Sequence, residues 1–361
     1  MKYIDEYRDG EVAGRLLEGL RLATKKKLKF MEVCGSHTVA IFKSGIRDLL
    51  PDNISLVSGP GCPVCVTPAE DIDRAVLMAR LPGVALATFG DMIRVPGTKT
   101  SLQKARAEGA DVRVVYSPFD ALKLAQSEPS LKVVFFAAGF ETTSPAVAAT
   151  LGRAVESGLE NFFIFSVHKT IPAAMRALLD TPELSIDGFL CPGHVSTIIG
   201  TRPYLFIAEE YGRPAVVSGF EPVDILQSTL MMARQVEEGR PAVEIQYKRA
   251  VSEDGNPKAV EVLYRYFEPS DSNWRGIAVI PGTGLKLREQ YSRFDAEKVF
   301  DVRPGEPHEP KGCSCGQVLQ GIKTPPECKL FGRACTPENP VGACMVSYEG
   351  SCAAYYKYGR R

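Results

Sequence analysis

Two cysteines stand three residues apart in the rigid loop Gly59-Pro60-Gly61-Cys62-Pro63-Val64-Cys65-Val66-Thr67-Pro68. The apolar run Ile54–Val57 leads into it. Thr67, Pro68 and Glu70 follow in the order of a capping box with proline at the first helical position. That spacing predicts Cys65 just ahead of a helix N-terminus, where partial positive charge favours a thiolate. A thiolate serves metal binding or thiol redox chemistry. The other reading is a pair of buried structural cysteines.

The chain holds ten cysteines in three sets: Cys34, Cys62 and Cys65 near the front, Cys191 alone, and six from Cys313 to Cys352. In a reducing compartment such clusters read as metal ligands or redox groups rather than disulfides. The tail set is Cys313, Cys315, Cys328, Cys335, Cys344 and Cys352. It has neither the paired CxxC knuckles of a zinc ribbon nor the CxxCxxC run of bacterial ferredoxins. Six thiols could give four ligands to one [4Fe-4S] cluster and leave two as a redox pair; a zinc site with spare cysteines is the alternative. The segment is poor in apolar residues, so a metal is expected to hold it together.

Cys34 sits in Cys34-Gly35-Ser36-His37, after the first apolar run. If the first two strands are parallel neighbours about 5 Å apart, Cys34 comes within reach of Cys62 and Cys65. Three thiolates with His37 suit iron or zinc. His37 could equally cap a helix or bond a carbonyl. Two further readings of these thiols are a thioredoxin-like dithiol and an acyl-transfer nucleophile with His37. The second lacks an obvious carboxylate to orient the histidine. Glu141, in Gly139-Phe140-Glu141-Thr142-Thr143, precedes a Ser144-Pro145 helix start that could hold an anion. Neither a P-loop nor a dinucleotide fingerprint is present, so capping of the turn is the favoured reading. His194, near Cys191, reads as a metal-supporting group or as a core pair with it.

The elements that must position these residues alternate. Strands are expected at Leu28–Val33, Ile54–Val57, Val84–Phe89, Val112–Tyr116, Lys132–Ala137, Phe162–Val167, Gly188–Leu190 and Ala215–Val217. Helices are expected at Thr38–Leu50, Ala69–Leu81, Pro145–Ser157, Ile171–Asp180 and Val223–Glu238, after an amphipathic helix within 1–27. Near-continuous apolar strands separated by helices imply an α/β fold: two similar domains with parallel sheets flanked by helices, plus the cysteine-rich C-terminal region. The chemistry-bearing residues then fall at the carboxyl ends of strands, where such sheets bind ligands. The expected division is 1–117 (possibly completed by a later segment), 118–240, an irregular connecting segment 241–312 with an extended linker at 303–312, and 313–361.

Composition narrows the function classes. Of 361 residues, 45% are hydrophobic and 24% charged, an ordinary globular balance, and 43 basic residues offset 43 acidic ones. No basic stripe points to nucleic acid, and no apolar run is long enough for a membrane helix. The first residues lack the apolar core of a signal peptide, so a cytoplasmic protein is expected.

Met31-Glu32-Val33-Cys34-Gly35-Ser36-His37-Thr38 and Gly59-Pro60-Gly61-Cys62-Pro63-Val64-Cys65-Val66-Thr67 together resemble the HypD family of [NiFe]-hydrogenase maturation factors. Gly139-Phe140-Glu141-Thr142-Thr143, Cys191-Pro192-Gly193-His194-Val195-Ser196, Asn273-Trp274-Arg275-Gly276 and the tail extend the resemblance over nearly the whole chain. Ser36 stands where relatives often have threonine. The resemblance implies a redox-active scaffold that, with the chaperone HypC, builds and carries the Fe(CN)2CO unit, taking cyanide from HypE with HypF upstream. It implies Cys34 as the iron ligand, with Cys62 and Cys65 as the other essential pair. It also implies Cys313, Cys328, Cys335 and Cys344 as [4Fe-4S] ligands, leaving Cys315 and Cys352 as a thiol/disulfide pair. The rival from another class is an iron–sulfur-dependent thiol oxidoreductase acting on other proteins.

Overall fold

The computed structural model describes residues 5–181 and 184–359. Its strands are β1 (Leu28–Glu32), β2 (Ile54–Ser58), β3 (Val84–Thr88), β4 (Val112–Val114), β5 (Lys132–Ala137), β6 (Phe162–Ser166), β7 (Gly188–Pro192), β8 (Ala215–Ser218), β9 (Val243–Ile245), β10 (Phe267–Trp274) and β11 (Ala278–Leu287). They form two parallel sheets, ordered β2-β1-β7-β8-β9 and β4-β3-β5-β6, and an antiparallel hairpin β10-β11. Every residue of β3, β7 and β8 is buried. Burial on both faces is the reason these strands read as unbroken apolar runs.

β1 and β2 pair in register from Leu28↔Ile54 to Glu32↔Ser58, so their carboxyl ends are neighbours. The chain then leaves to build the second sheet from β3 to β6 and returns to complete the first with β7 to β9. Ser117 lies between β4 and β5, which belong to one sheet, so the sheets are not divided there. The chain crosses between sheets twice, after β2 and after β6.

The segment read as irregular from 241 contains the helix Pro257–Tyr266 and the β10-β11 hairpin. Its sequence hides the hairpin, because β10 carries a proline and five polar residues, poor strand formers that a partner strand must hold. The expected helix from Thr38 starts earlier and divides into Gly35–Lys43 and Ile46–Leu49. The amphipathic helix is Gly10–Ala23, capped by Asp9, which accepts from the Glu11 and Val12 amides at 2.8 and 3.1 Å. One apolar core runs between the sheets and into the tail, joining Met31, Val33, Leu86, Phe136 and Val217 to Cys315, Cys344 and Met345. The tail is therefore part of the body of the protein.

Candidate functional site

The two sheets turn their carboxyl edges toward each other across a cleft of about 540 Å³. It is lined by Val33 and Cys34 beyond β1, Gly61 and Pro63 beyond β2, Phe89 to Met92 beyond β3, Ala138 to Phe140 beyond β5, and Pro192 and His194 at β7. The tail contributes Ser347 and Glu349.

Cys34 occupies the N-cap position of the helix Gly35–Lys43. Burial, and next the Glu349 carboxylate, push the Cys34 thiol up to about 12, against a smaller opposing effect of the His37 and Ser36 amides. Glu349 is held in place by the Ser36 hydroxyl, which donates to its Oε1 at 2.6 Å. Below, the fully buried Glu32 ties the strand ends together by accepting from Ser58 at 2.7 Å and Thr38 at 3.1 Å, with Arg47 at 3.5 Å. Gly61 touches the Cys34 backbone directly: a Cβ there would stand 2.2 Å from the Cys34 nitrogen. The Gly35 amide donates to the Gly61 carbonyl at 3.1 Å and closes the junction.

Cys62 and Cys65 lie beneath the cleft floor, 3% and 0% exposed. Residues 63–66 form a helical turn with Cys62 as its N-cap, and the Cys65 amide donates to the Cys62 sulfur at 3.3 Å. The two sulfurs are 2.7 Å apart. The expected capping box is not made. The Thr67 hydroxyl donates back to the Pro63 carbonyl at 2.9 Å, and the next helix, Ala69–Ala79, starts after Pro68 without a side-chain cap. Cys65 gains no thiolate character from its position, because burial pushes its thiol well above the ordinary range. A buried thiolate without a nearby cation is penalised more than a weak dipole can offset.

His37 turns away from these sulfurs. Its Nε2 lies 2.9 Å from the Gly219 carbonyl and 3.2 Å from that of Ser218, and its ring stacks on Phe220 at 4.6 Å. Burial lowers its pKa to about 4, so the ring is neutral and the carbonyls fix the proton on Nε2. His194 also stacks on Phe220, at 4.0 Å; it is exposed at the cleft rim, while Cys191 is fully buried, so the two are not a core pair. Glu141 is buried outside the cleft, where its Oε1 accepts from the Ile171 amide at 2.9 Å, a capping role at the start of the helix Ile171–Leu179. Among the described residues, no three His, Cys, Asp or Glu groups converge as ligands of a single ion.

All six tail cysteines line one small cavity, together with apolar Val318, Leu330, Phe331 and Met345. Cys344 is its hub: Cys315, Cys352 and Cys65 all neighbour its sulfur and act on it. Cys315 also reaches Cys313. A run of thiols, Cys62–Cys65–Cys344–Cys315, therefore crosses from the cleft floor into the tail. Sequence reasoning did not find Glu349 or Ser347. They come to the site only through long-range closure, and no local spacing marks them.

The chain matches the model of a protein family, HypD, described as "Hydrogenase formation hypA family", over residues 11–359. It is 51% identical to the hydrogenase maturation factor HypD of Azotobacter vinelandii over 370 residues, covering all of this chain and 98% of that protein. Identity to the hydrogenase maturation factor HypD of Escherichia coli K12 is 48% over 366 residues, covering 99% of this chain and 98% of that protein. Agreement at this level along the full length, through both sheets and the cysteine tail, makes the chain a member of the HypD family of hydrogenase maturation factors.

Proposed function

We propose that the protein assembles and carries the Fe(CN)2CO unit on Cys34 together with HypC, with cyanide coming from HypE and HypF acting upstream of it. The observation that carries this reading is the position of Cys34. It is the one cysteine of the front set that opens on the cleft, at a helix start whose amides favour the thiolate. Burial keeps its thiol protonated until a cation arrives. An incoming iron supplies that charge and displaces the proton, as metal binding to thiols does generally. The remaining iron positions are open to cyanide, CO and a partner's ligand, which agrees with a site of one protein sulfur.

Cys62 and Cys65 are read as a dithiol. Their conversion to a disulfide releases two electrons and two protons. Contact of Cys65 with Cys344 lets thiol–disulfide exchange pass between this pair and the tail. The donor set of the tail cavity suits a cysteine-ligated cluster: six sulfurs ring a small space whose other walls are mostly apolar. A [4Fe-4S] cluster takes one cysteine per iron, so its ligands are spread around it rather than converging on a point. Because Cys344 neighbours Cys65 as well as Cys315, we read Cys315 and Cys344 as the dithiol, in place of the Cys315/Cys352 pair that the resemblance implies. Cys352 then joins Cys313, Cys328 and Cys335 as the residues that would hold the cluster. When bound, the cluster supplies or accepts single electrons.

The rival reading, a thiol oxidoreductase acting on other proteins, needs Cys62 or Cys65 at the surface, and neither is there. The test is Cys34→Ala, purified anaerobically with HypC and examined by infrared spectroscopy. Cyanide and CO stretches should vanish while the visible absorbance of the tail cluster persists. Stretches that survive the substitution would remove Cys34 from the role.

A further inference from the structure

Arg275 is 1% exposed, a full charge enclosed between the hairpin, the cleft floor and the tail. Its amide donates to the Val66 carbonyl at 2.9 Å, at the end of the turn that carries Cys65. Its Nη1 donates to the Pro96 carbonyl at 2.9 Å, and its Nε meets Glu309 at 3.1 Å. Its Nη2 is buried and has no acceptor among the described residues. A buried guanidinium donor is seldom left without a partner, so an unpaired one points to a group that belongs there. Next to it, a Cβ at Gly316 would stand 1.8 Å from the Gly276 carbonyl oxygen. That contact seats the Cys313–Gly316 segment directly on Arg275-Gly276, and the Arg275 charge acts on the Cys313 sulfur. Glu309 is 44% exposed, so water screens its charge, while nothing comparable screens Arg275.

We propose that Arg275 is a positioning residue for the tail centre: its enclosed guanidinium, standing beside Cys313 with a free N–H, offsets the negative charge of the thiolate-ligated cluster and raises its reduction potential. This rests on the cluster reading given above. A cation next to a centre that gains an electron stabilises the reduced form, so removing the cation lowers the potential.

The experiment is a dye-mediated potentiometric titration of the full-length, anaerobically purified protein, with visible absorbance and iron content measured in parallel. Arg275→Gln keeps the hydrogen-bonding shape and loses the charge. It should retain the cluster and lower the one-electron reduction equilibrium roughly tenfold, a shift of about 59 mV to more negative values. Arg275→Lys should return toward the wild-type potential. Glu309→Gln, which removes the counter-charge at the half-exposed side, should raise it. An Arg275→Gln protein with full iron and an unmoved potential overturns the proposal. If Arg275→Gln cannot hold the cluster, an unmoved potential in Glu309→Gln overturns it instead. Wild-type protein without iron would overturn the cluster reading itself, and the iron assay separates that outcome from the failure of Arg275 alone.

Discussion

Replacing Gly61 by alanine tests whether the contact between two strand-end loops is what sets Cys34 in place. The added Cβ would stand 2.2 Å from the Cys34 nitrogen, 2.4 Å from the Val33 carbonyl carbon and 2.5 Å from the Cys34 Cα. Ordinary contact begins at 3.4 Å, so the loops must separate by more than an ångström (3.4 less 2.2). All three neighbours are backbone atoms, and no side chain can swing aside. Forcing a methyl into such a joint costs about 1–3 kcal/mol. Weakening the Gly35–Gly61 hydrogen bond adds about 1 kcal/mol. The expected loss is about 2–4 kcal/mol, a fall in Tm of roughly 3–5 °C by calorimetry for a chain of this length. Gly14→Ala is the matched control: nothing lies within 4 Å of its Cβ, and it sits inside the helix Gly10–Ala23. There the same change should stabilise by about 0.5–1 kcal/mol. The functional readout should follow, because displacement of Cys34 by an ångström spoils ligand placement, and the infrared bands of the iron unit should weaken with HypC present. A Gly61→Ala protein that melts with the wild type would refute the argument from close approach.

Cys344→Ala and Cys352→Ala separate the two possible ligand sets: the first should keep the visible absorbance of the tail cluster and the second should lose it. The reverse result restores Cys344 as the ligand. Thr283→Val removes the acceptor of the buried Trp274 indole, which donates to the Thr283 hydroxyl at 2.8 Å. An unpaired buried donor costs about 1–3 kcal/mol, and because Trp274 is the only tryptophan, its fluorescence reports the fall in denaturant midpoint. An unmoved midpoint would count against that bond. Burial raises the Glu141 carboxyl from 4.5 to about 7. The folded protein thus holds this proton more tightly than the unfolded chain, and stability present below pH 4.5 is lost as pH rises through about 7. The loss is at most about 3 kcal/mol. Glu141→Gln should therefore gain on the wild type at about pH 8 and not at about pH 5. Equal differences at both values would show that Glu141 is not the titrating group.

What the sequence conveyed follows from the range of the forces involved. Strand positions were legible because burial on both faces leaves an apolar run, as in β3 and β7, whatever the partner strand is. The approach of Cys34 to the Cys62–Cys65 turn was legible too, since it requires only that two successive strands pair in parallel, which β1 and β2 do. The capping box was misread because Thr67 has two local uses for its hydroxyl. It closes the turn behind it, on Pro63, rather than capping the helix ahead. β10 was missed because its residues are held by the hairpin partner and not by their own preference. The return of the tail left no local trace: Ser36 meets Glu349 across 313 positions, and neither residue has a neighbour that announces the other.

That return also separates roles that the sequence had merged. A helix start was expected to charge Cys65, yet the cysteine that opens on the cleft is Cys34, at the start of another helix whose amides favour its thiolate. Cys65 has full enclosure and sulfur neighbours instead. A dry pocket penalises a lone thiolate but tolerates both a dithiol and a disulfide, because each is neutral and electrons and protons move together between them. The same physics that makes Cys65 a poor anchor for iron makes it a good half of a dithiol. The proposed division, with iron on the sulfur that opens on the cleft and electron exchange on the enclosed sulfurs, follows from which of them the cleft reaches. It fails if iron is found on Cys65 in a protein whose Cys34 is intact.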